Sequence, residues 1–407
     1  MLGALGEPIR KEFHLSDTQL GAITTLFTVL YAVVGLPLGR LADSASRKKL
    51  LAAGMFVWSA LTAASAFTAS YTTLLLTRLG VGVGEAVCAP VSASWIGDLF
   101  PPQKRSRALA FFMLGVPLGG GLSYLVSGPV AQAYGWRMAL VVAAMPALVL
   151  IPALLRMPEP RRGAVEGNAP AQSGWGVLLR IPTLGWIIAS GALLNFNLYA
   201  LATFLPAFLT RFHHLSVAQS GWWTGVGSIA AGLLFASASG MVGDRVIGWR
   251  KNGRMLAASA AMAAAAPIAL AGILQPEGAW VASVVLISAA YGCLNMYYGL
   301  VYAAIQDIVA PALRGTTMAL YFMAMYLCGA SFGPIITGRL SDAMARRAAG
   351  SEILTEAAKA IGLRQAMFIV PALALALALV LYAGSRTIAR DMARRDELLT
   401  IPAAKAL

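Results

Sequence analysis

Residues 77–107 read TRLGVGVGEAVCAPVSASWIGDLFPPQKRSR, and the fold is decided there. The first part is apolar enough to lie inside a bilayer, yet it carries Arg78 and Glu85. An ionisable side chain in hydrocarbon costs about 3 kcal/mol or more. Such residues normally face a bundle interior or an aqueous cavity, where they pair or exchange protons. Seven residues make about two helical turns, so both side chains fall on one face, ~10 Å apart along the axis. At that rise they do not touch, but both can line one cavity. The bland alternative is a buried salt bridge to some other helix, and burying an ion pair is a poor way to gain stability.

Working outward, the whole chain has the same character. Of its 407 residues 58% are hydrophobic and only 12% charged, with mean hydropathy +0.72. Soluble chains carry about 25% charged residues, so the composition implies an integral membrane protein. A net charge of +14 does not point to nucleic acid, because Lys and Arg fall in short clusters between apolar spans. That is the positive-inside pattern of loops lying against anionic headgroups. Cys88, Cys293 and Cys328 sit singly in apolar runs, and His14, His213 and His214 lack ligand spacing. Neither a disulfide framework nor a metal site nor any cofactor is expected.

Windows of about 20 apolar residues give eleven spans, near 20–39, 51–70, 73–96, 107–132, 137–155, 183–210, 217–242, 255–274, 280–309, 315–338 and 365–385. The loops GRLADSASRKK, GDLFPPQKRSR, RMPEPRRG and GDRVIGWRKNGR, the tail RTIARDMARR and Arg314 hold 19 Lys/Arg, which Arg180 and Lys405 bring to 21 on one side, against nine on the other. The basic side, with the C-terminus, is expected to be cytoplasmic, in a cell inner (plasma) membrane. Parity then puts residue 1 outside. MLGALGEPIRKEFHLSDTQLG reads as the last turns of another helix, an outer loop, and a helix N-cap at Ser16 and Asp17. A first helix is thus expected to be missing or truncated, the complete protein having twelve.

The chain repeats. PPQKRSRALAFFMLGVPLGG from Pro101 lines up with APALRGTTMALYFMAMYLCG from Ala310, and GRLAD at 39–43 echoes GMVGD at 240–244. The expectation is an all-α membrane protein of two pseudo-symmetric six-helix bundles. Residues 1–156 form the N-terminal bundle and 157–180 a cytoplasmic linker; 181–390 form the C-terminal bundle and 391–407 a cytoplasmic tail. Repeats of this kind belong to transporters that rock two halves around a midplane site.

GRLADSASRKKL resembles the signature between helices 2 and 3 of the major facilitator superfamily, matching at Gly39, Asp43, Arg47 and Lys48; Ser44 and Ser46 replace the usual Arg and Gly. The carboxylate can accept from a helix N-terminus and nearby guanidinium groups, and Gly39 lets helices approach closely. Such a latch closes the cytoplasmic side, and Asp244 with Arg245 repeats it in the second half. The stretch from Arg78 to Arg105, with GWR at 135–137, is similar to the spinster branch of that superfamily, most specifically at DLFPP. That branch includes exporters of sphingosine-1-phosphate and lysophospholipids. The resemblance implies that Glu85 and Arg78 couple transport to protons. The branch also places an Asp-Arg pair on helix 1, which this sequence lacks. The organic anion:proton symporter branch shares R-x-x-x-G-x-x-E-A and GWR, but tends to have W-F-P where Leu99-Phe100-Pro101 stands.

Gly80, Gly82 and Gly84 read as helix-packing positions, not a nucleotide loop, since no strand precedes them. Gly115, Gly119, Gly120 and Gly121 with Pro117 are expected to form another packing face. In the second half, Asn195 and Tyr199 interrupt one span, and Asn295, Tyr298 and Tyr302 share a face of another. With Met323 they suit a cavity for an amphipathic ligand; interhelical hydrogen bonding explains them equally well. The reading is a non-enzymatic, monomeric transporter working by alternating access. It is proton-coupled and carries a lipid-like substrate of lysolipid or sphingolipid type. The alternatives are a proton-coupled symporter of small organic anions, a non-transporting membrane protein, or a membrane enzyme, for which no acyltransferase box, metal cluster or nucleotide loop is found.

Overall fold

The computed structural model describes residues 2–99, 112, 115–159, 178, 180–309, 313–350 and 354–400. Among these the regular elements are all helical. In chain order they are α1 (Leu2–Phe13), α2 (Asp17–Ser44), α3 (Arg47–Ala64), a 3₁₀ turn (Ser65–Phe67), α4 (Tyr71–Glu85), α5 (Cys88–Leu99), α6 (Gly115–Ala144) and α7 (Pro146–Arg156). Then come α8 (Pro182–Arg211), α9 (Val217–Trp249), α10 (Gly253–Leu274), α11 (Trp280–Ile308), α12 (Arg314–Met325), a π turn (Tyr326–Ala330), α13 (Phe332–Ala349), α14 (Glu356–Met367), α15 (Ile369–Ser385) and α16 (Ile388–Thr400). Helices are the expected answer, since in lipid every backbone polar group must be satisfied within its own segment.

Ten stretches of the described residues are long and apolar enough to cross a membrane. They account for the eleven expected spans because 107–132 and 137–155 share one 39-residue stretch, Leu118–Arg156. Its helical path breaks at Gly135, where φ is +84°, a conformation glycine adopts without steric cost. Two other spans are also interrupted. The helix expected over 73–96 stops at Glu85 and restarts at Cys88, and the one over 315–338 contains the π turn, where Ser331 N–H donates to the Tyr326 carbonyl at 3.1 Å. At the start of α2, Ser16 caps the helix, accepting from Gln19 N–H in a reciprocal capping box.

The chain forms two compact units. One comprises Met1–Pro170, Ala202–Val226 and Pro334–Leu363; the other comprises Ala171–Leu201, Gly227–Gly333 and Arg364–Leu407. In the first unit, Leu5, Ile9, Ile23, Leu74, Trp136 and Leu140 share a buried core. In the second, α10 packs against α11 and α15. The linker from residue 160 and the stretch 100–111, which holds FPP and the basic end of the repeat, lie outside the described residues.

The glycine expectations divide. Gly84 lies against Trp58 N at 2.8 Å and Gly54 O at 3.0 Å, measured from where a Cβ would stand, so α3 and α4 touch through their backbones. A Cβ at Gly115, Gly119 or Gly120 would meet nothing within 4 Å among the described residues, so of the face expected at these three and Gly121 only Gly121 is seen to pack. The close approach falls further along α6, where Gly121 and Gly128 meet Gly225 and Gly221 of α9.

Candidate transport site

Ser70 caps α4 by accepting from Thr73 N–H, and the glycines then fix its register. Gly80 and Gly84 face α3, at Leu61 and Trp58, while Gly82 faces Phe27 of α2. Held this way, Arg78 is buried and reaches the 3₁₀ turn, where its Nε and Nη2 donate to Ser65 Oγ at 3.2 and 2.9 Å. Ser65 Oγ in turn donates to Leu61 O at 2.7 Å and stands 2.9 Å from Thr77 Oγ1. No carboxylate lies within ion-pairing distance of Arg78 among the described residues. Glu85 occupies the last position of α4, at the break before α5. It is half-buried and takes no hydrogen bond or ion pair from the described residues. Arg78 and Glu85 do not pair with one another. Ser65 escaped the sequence reading because nothing marks a lone serine in an apolar run.

At the far end of α2, the side chains of Gly39 and Asp43 lie outside the described residues. Arg47 and Lys48 are tied to the chain after α7. Glu159 accepts from Arg47 N–H and from Ser46 Oγ, each at 2.6 Å; Arg47 Nε stands 3.7 Å away, and Lys48 Nζ donates to Met157 O at 3.3 Å. Burial acts to raise the Glu159 pKa, but Ser46 and the backbone N–H groups of Arg47 and Lys48 outweigh it and hold the carboxyl below its ordinary range. Ser46, one of the two departures from the family signature, is thus both the N-cap of α3, accepting from Lys49 N–H, and a donor to Glu159. In the second half, Asp244 is 87% exposed and its ion pair with Arg254 is long, 3.8 Å. Arg254 instead holds Asp307 at 2.5 Å, and Arg245 is exposed.

The aromatic residues of α11 and α12 fall together in the second unit. Tyr298 and Tyr302 have ring centroids 5.4 Å apart, and Tyr302 meets Tyr321 and Phe322, each at 5.7 Å. Tyr321 fits because Gly191 of α8 has no side chain: any Cβ there would strike the ring. Tyr297, wholly buried, is a packing hub; its hydroxyl shares a 2.7 Å bond with Ser190 and accepts from Tyr321 at 3.1 Å. Tyr199 packs edge-on against Tyr326 of the π turn. Asn195 and Asn295 donate to the carbonyls of Gly191 and Tyr291 on their own helices, and their side chains also meet the hydroxyls of Tyr298 and Tyr291. Met323 is half-buried.

A second cluster of charges went unread. Arg211, at the end of α8, donates to Glu7 Oε2 at 2.7 Å and to both Asp17 oxygens at 2.7 and 2.8 Å. Arg10 in turn holds Glu7 and Glu356, each at 2.7 Å. Glu7, Arg10, Asp17 and Arg211 are all buried. Glu7 and Arg10 stand three apart on α1, beside Lys11 and Glu12; nothing in the sequence links either to Arg211.

A model of the Major Facilitator Superfamily matches residues 1–334. The chain belongs to that superfamily. It is 31% identical over 347 residues to an MFS-type efflux pump of Mycolicibacterium smegmatis, covering 84% of this chain and 80% of the other. It is 28% identical over 362 residues to protein spinster homolog 1 of Mus musculus, covering 83% and 69%. Among solved structures, a bacterial homolog of the human lysosomal transporter Spinster, inward-facing and unoccupied, superposes with TM-score 0.84 at 24% identity over 96% of this chain and 94% of that one. The chain is therefore a spinster-like, multi-pass membrane transporter, and the two-bundle facilitator fold is its fold.

Proposed function

We propose that this facilitator is a proton-coupled, alternating-access transporter of amphipathic molecules with one charged end, of the lysolipid or single-chain sphingolipid kind. The observation that carries the proposal is the state of Glu85. A structural carboxylate in an apolar span should be paired, because an unpaired one is expensive there. Glu85 has no such partner among the described residues and sits at a helix break, where backbone irregularity in transporters accompanies ion and substrate sites. Protonation removes the cost of holding its charge in a low-dielectric setting, so the proton changes which conformation is favoured.

Arg78 supplies the complementary charge. Ser65 occupies its Nε and Nη2, and Nη1 remains to meet an anionic headgroup or the ionised Glu85. The ring surface of Tyr298, Tyr302 and Phe322 offers apolar walls with a few hydroxyls, which suits a chain rather than a sugar acid. The excess of Lys and Arg on one set of loops supports a cytoplasmic C-terminus and a plasma-membrane location.

Thermal-shift binding decides the substrate class. Lysophospholipids or sphingosine-type lipids should stabilise the purified protein, and gluconate-like anions should not. Stabilisation by the small anions alone would move it to the organic anion symporters, the reading favoured by its 26% identity to a probable L-galactonate transporter of Escherichia coli.

A further inference from the structure

Residues 338–342 spell GRLSD, repeating the G-R-L-x-D of residues 39–43. The two copies attend opposite ends of α2: GRLAD lies in its last turns, while GRLSD packs on its first turn. The contacts there have the physical make-up the family signature implies for its latch. Asp342 accepts from the backbone N–H groups of Asp17 and Thr18, at 3.0 and 2.9 Å, and from the Thr18 hydroxyl at 2.5 Å. Those N–H groups open a helix and have no partner within it, and the positive end of the helix dipole favours a carboxylate at that place. Gly338 lies so close to the Asp17 carbonyl that a Cβ would overlap it. Ser341 donates to Asp17 Oδ2 at 2.7 Å, and Asp17 is the residue gripped by Arg211.

We infer that GRLSD is a second latch, built like the cytoplasmic one and working at the opposite end of the transport path. It holds the first turn of α2 against α13 in the conformation seen here and lets go when that end opens. The inference rests on the alternating-access reading. Nested inverted repeats in each half of this superfamily explain how one short motif comes to stand at both ends. On the twelve-helix count α2 is the second helix of its half, and α12–α13 the fifth of the other.

The test uses the full chain with Cys88, Cys293 and Cys328 changed to Ser and Thr337→Cys as reporter. Thr337 is fully buried, one residue before Gly338, and its hydroxyl has no partner among the described residues, so a thiol is a mild change. A membrane-impermeant maleimide is applied from the side of the α2 N-terminus. Asp342→Ala removes three hydrogen bonds to a charged acceptor and should speed labelling about tenfold or more. Thr18→Val, which removes one hydroxyl and leaves the backbone bonds, should speed it about threefold and serves if Asp342→Ala does not fold. Asp43→Ala, which weakens the opposite latch, should slow it. Labelling within about twofold of the parent in the folded latch variants, or acceleration by Asp43→Ala as well, overturns the inference. Labelling needs no substrate, so a failed latch and a failed substrate assignment give different results.

Discussion

Replacing Arg211 by Met withdraws three charge-assisted hydrogen bonds from two buried carboxylates. Glu7 keeps Arg10, at 2.7 Å, while Asp17 keeps only the Ser341 hydroxyl from a side chain. The loss therefore falls mainly on Asp17, left charged and nearly unpaired in the protein interior. Breaking a buried pair from one side costs about 3–5 kcal/mol; with Glu7 still held, the lower half of that range is expected. Neutralising Arg211 together with its two carboxylates, with Arg10 keeping Glu356, behaves differently. Because an apolar replacement of a complete buried pair is often neutral, Arg211→Met with Asp17→Asn and Glu7→Gln should recover to within about 2 kcal/mol of wild type. Equilibrium unfolding in mixed micelles, followed by tryptophan fluorescence, measures both. A single variant as stable as wild type, or a triple variant worse than the single, would show that Arg211 does not hold these carboxylates.

Two further outcomes follow from particular contacts. Gly84→Val should destabilise the α3–α4 pair by about 2 kcal/mol or more through overpacking, since the new side chain meets Trp58 N and Gly54 O; melting temperature checks this, and an unchanged value would show that the two helices do not touch. Glu159→Gln should lower the melting temperature by loosening the start of α3. The wild-type carboxyl is held below its ordinary range, so its contribution is full above the unfolded value of about 4.3 and fades as pH falls through the lower folded value. The melting gap between wild type and variant should be constant from neutral pH down to about 5 and close below about 4; a gap that widens on acidification would contradict the assignment.

Much of the fold was legible because hydropathy and basic loops are read from composition along the chain. The packing of Gly80, Gly82 and Gly84 and the cap at Ser16 were legible for a related reason, each being local. The interruptions were only partly legible: Pro90, which has no N–H to close a bond to the Ala86 carbonyl, marks the break after Glu85, whereas the glycines at 115, 119 and 120 look no different from Gly121 and Gly128, which do the packing. Tyr298 and Tyr302 were found by helical spacing, whereas Tyr297, one position off that face, became the hub that only tertiary contacts reveal. The Arg211 cluster joins residues some two hundred positions apart, and no periodicity can announce such a pairing. Asp17 was read as part of a cap, and it is also the buried partner of Arg211.

In the proposed function Glu85 carries the proton that drives lipid-type transport. Reconstituted wild-type protein should move a labelled lysophospholipid across a vesicle membrane faster under an imposed pH gradient than without one. Glu85→Gln, folded by its melting curve, should lose that acceleration, because an amide cannot titrate. If the Gln variant responds to the gradient as wild type does, Glu85 is structural and the account is wrong.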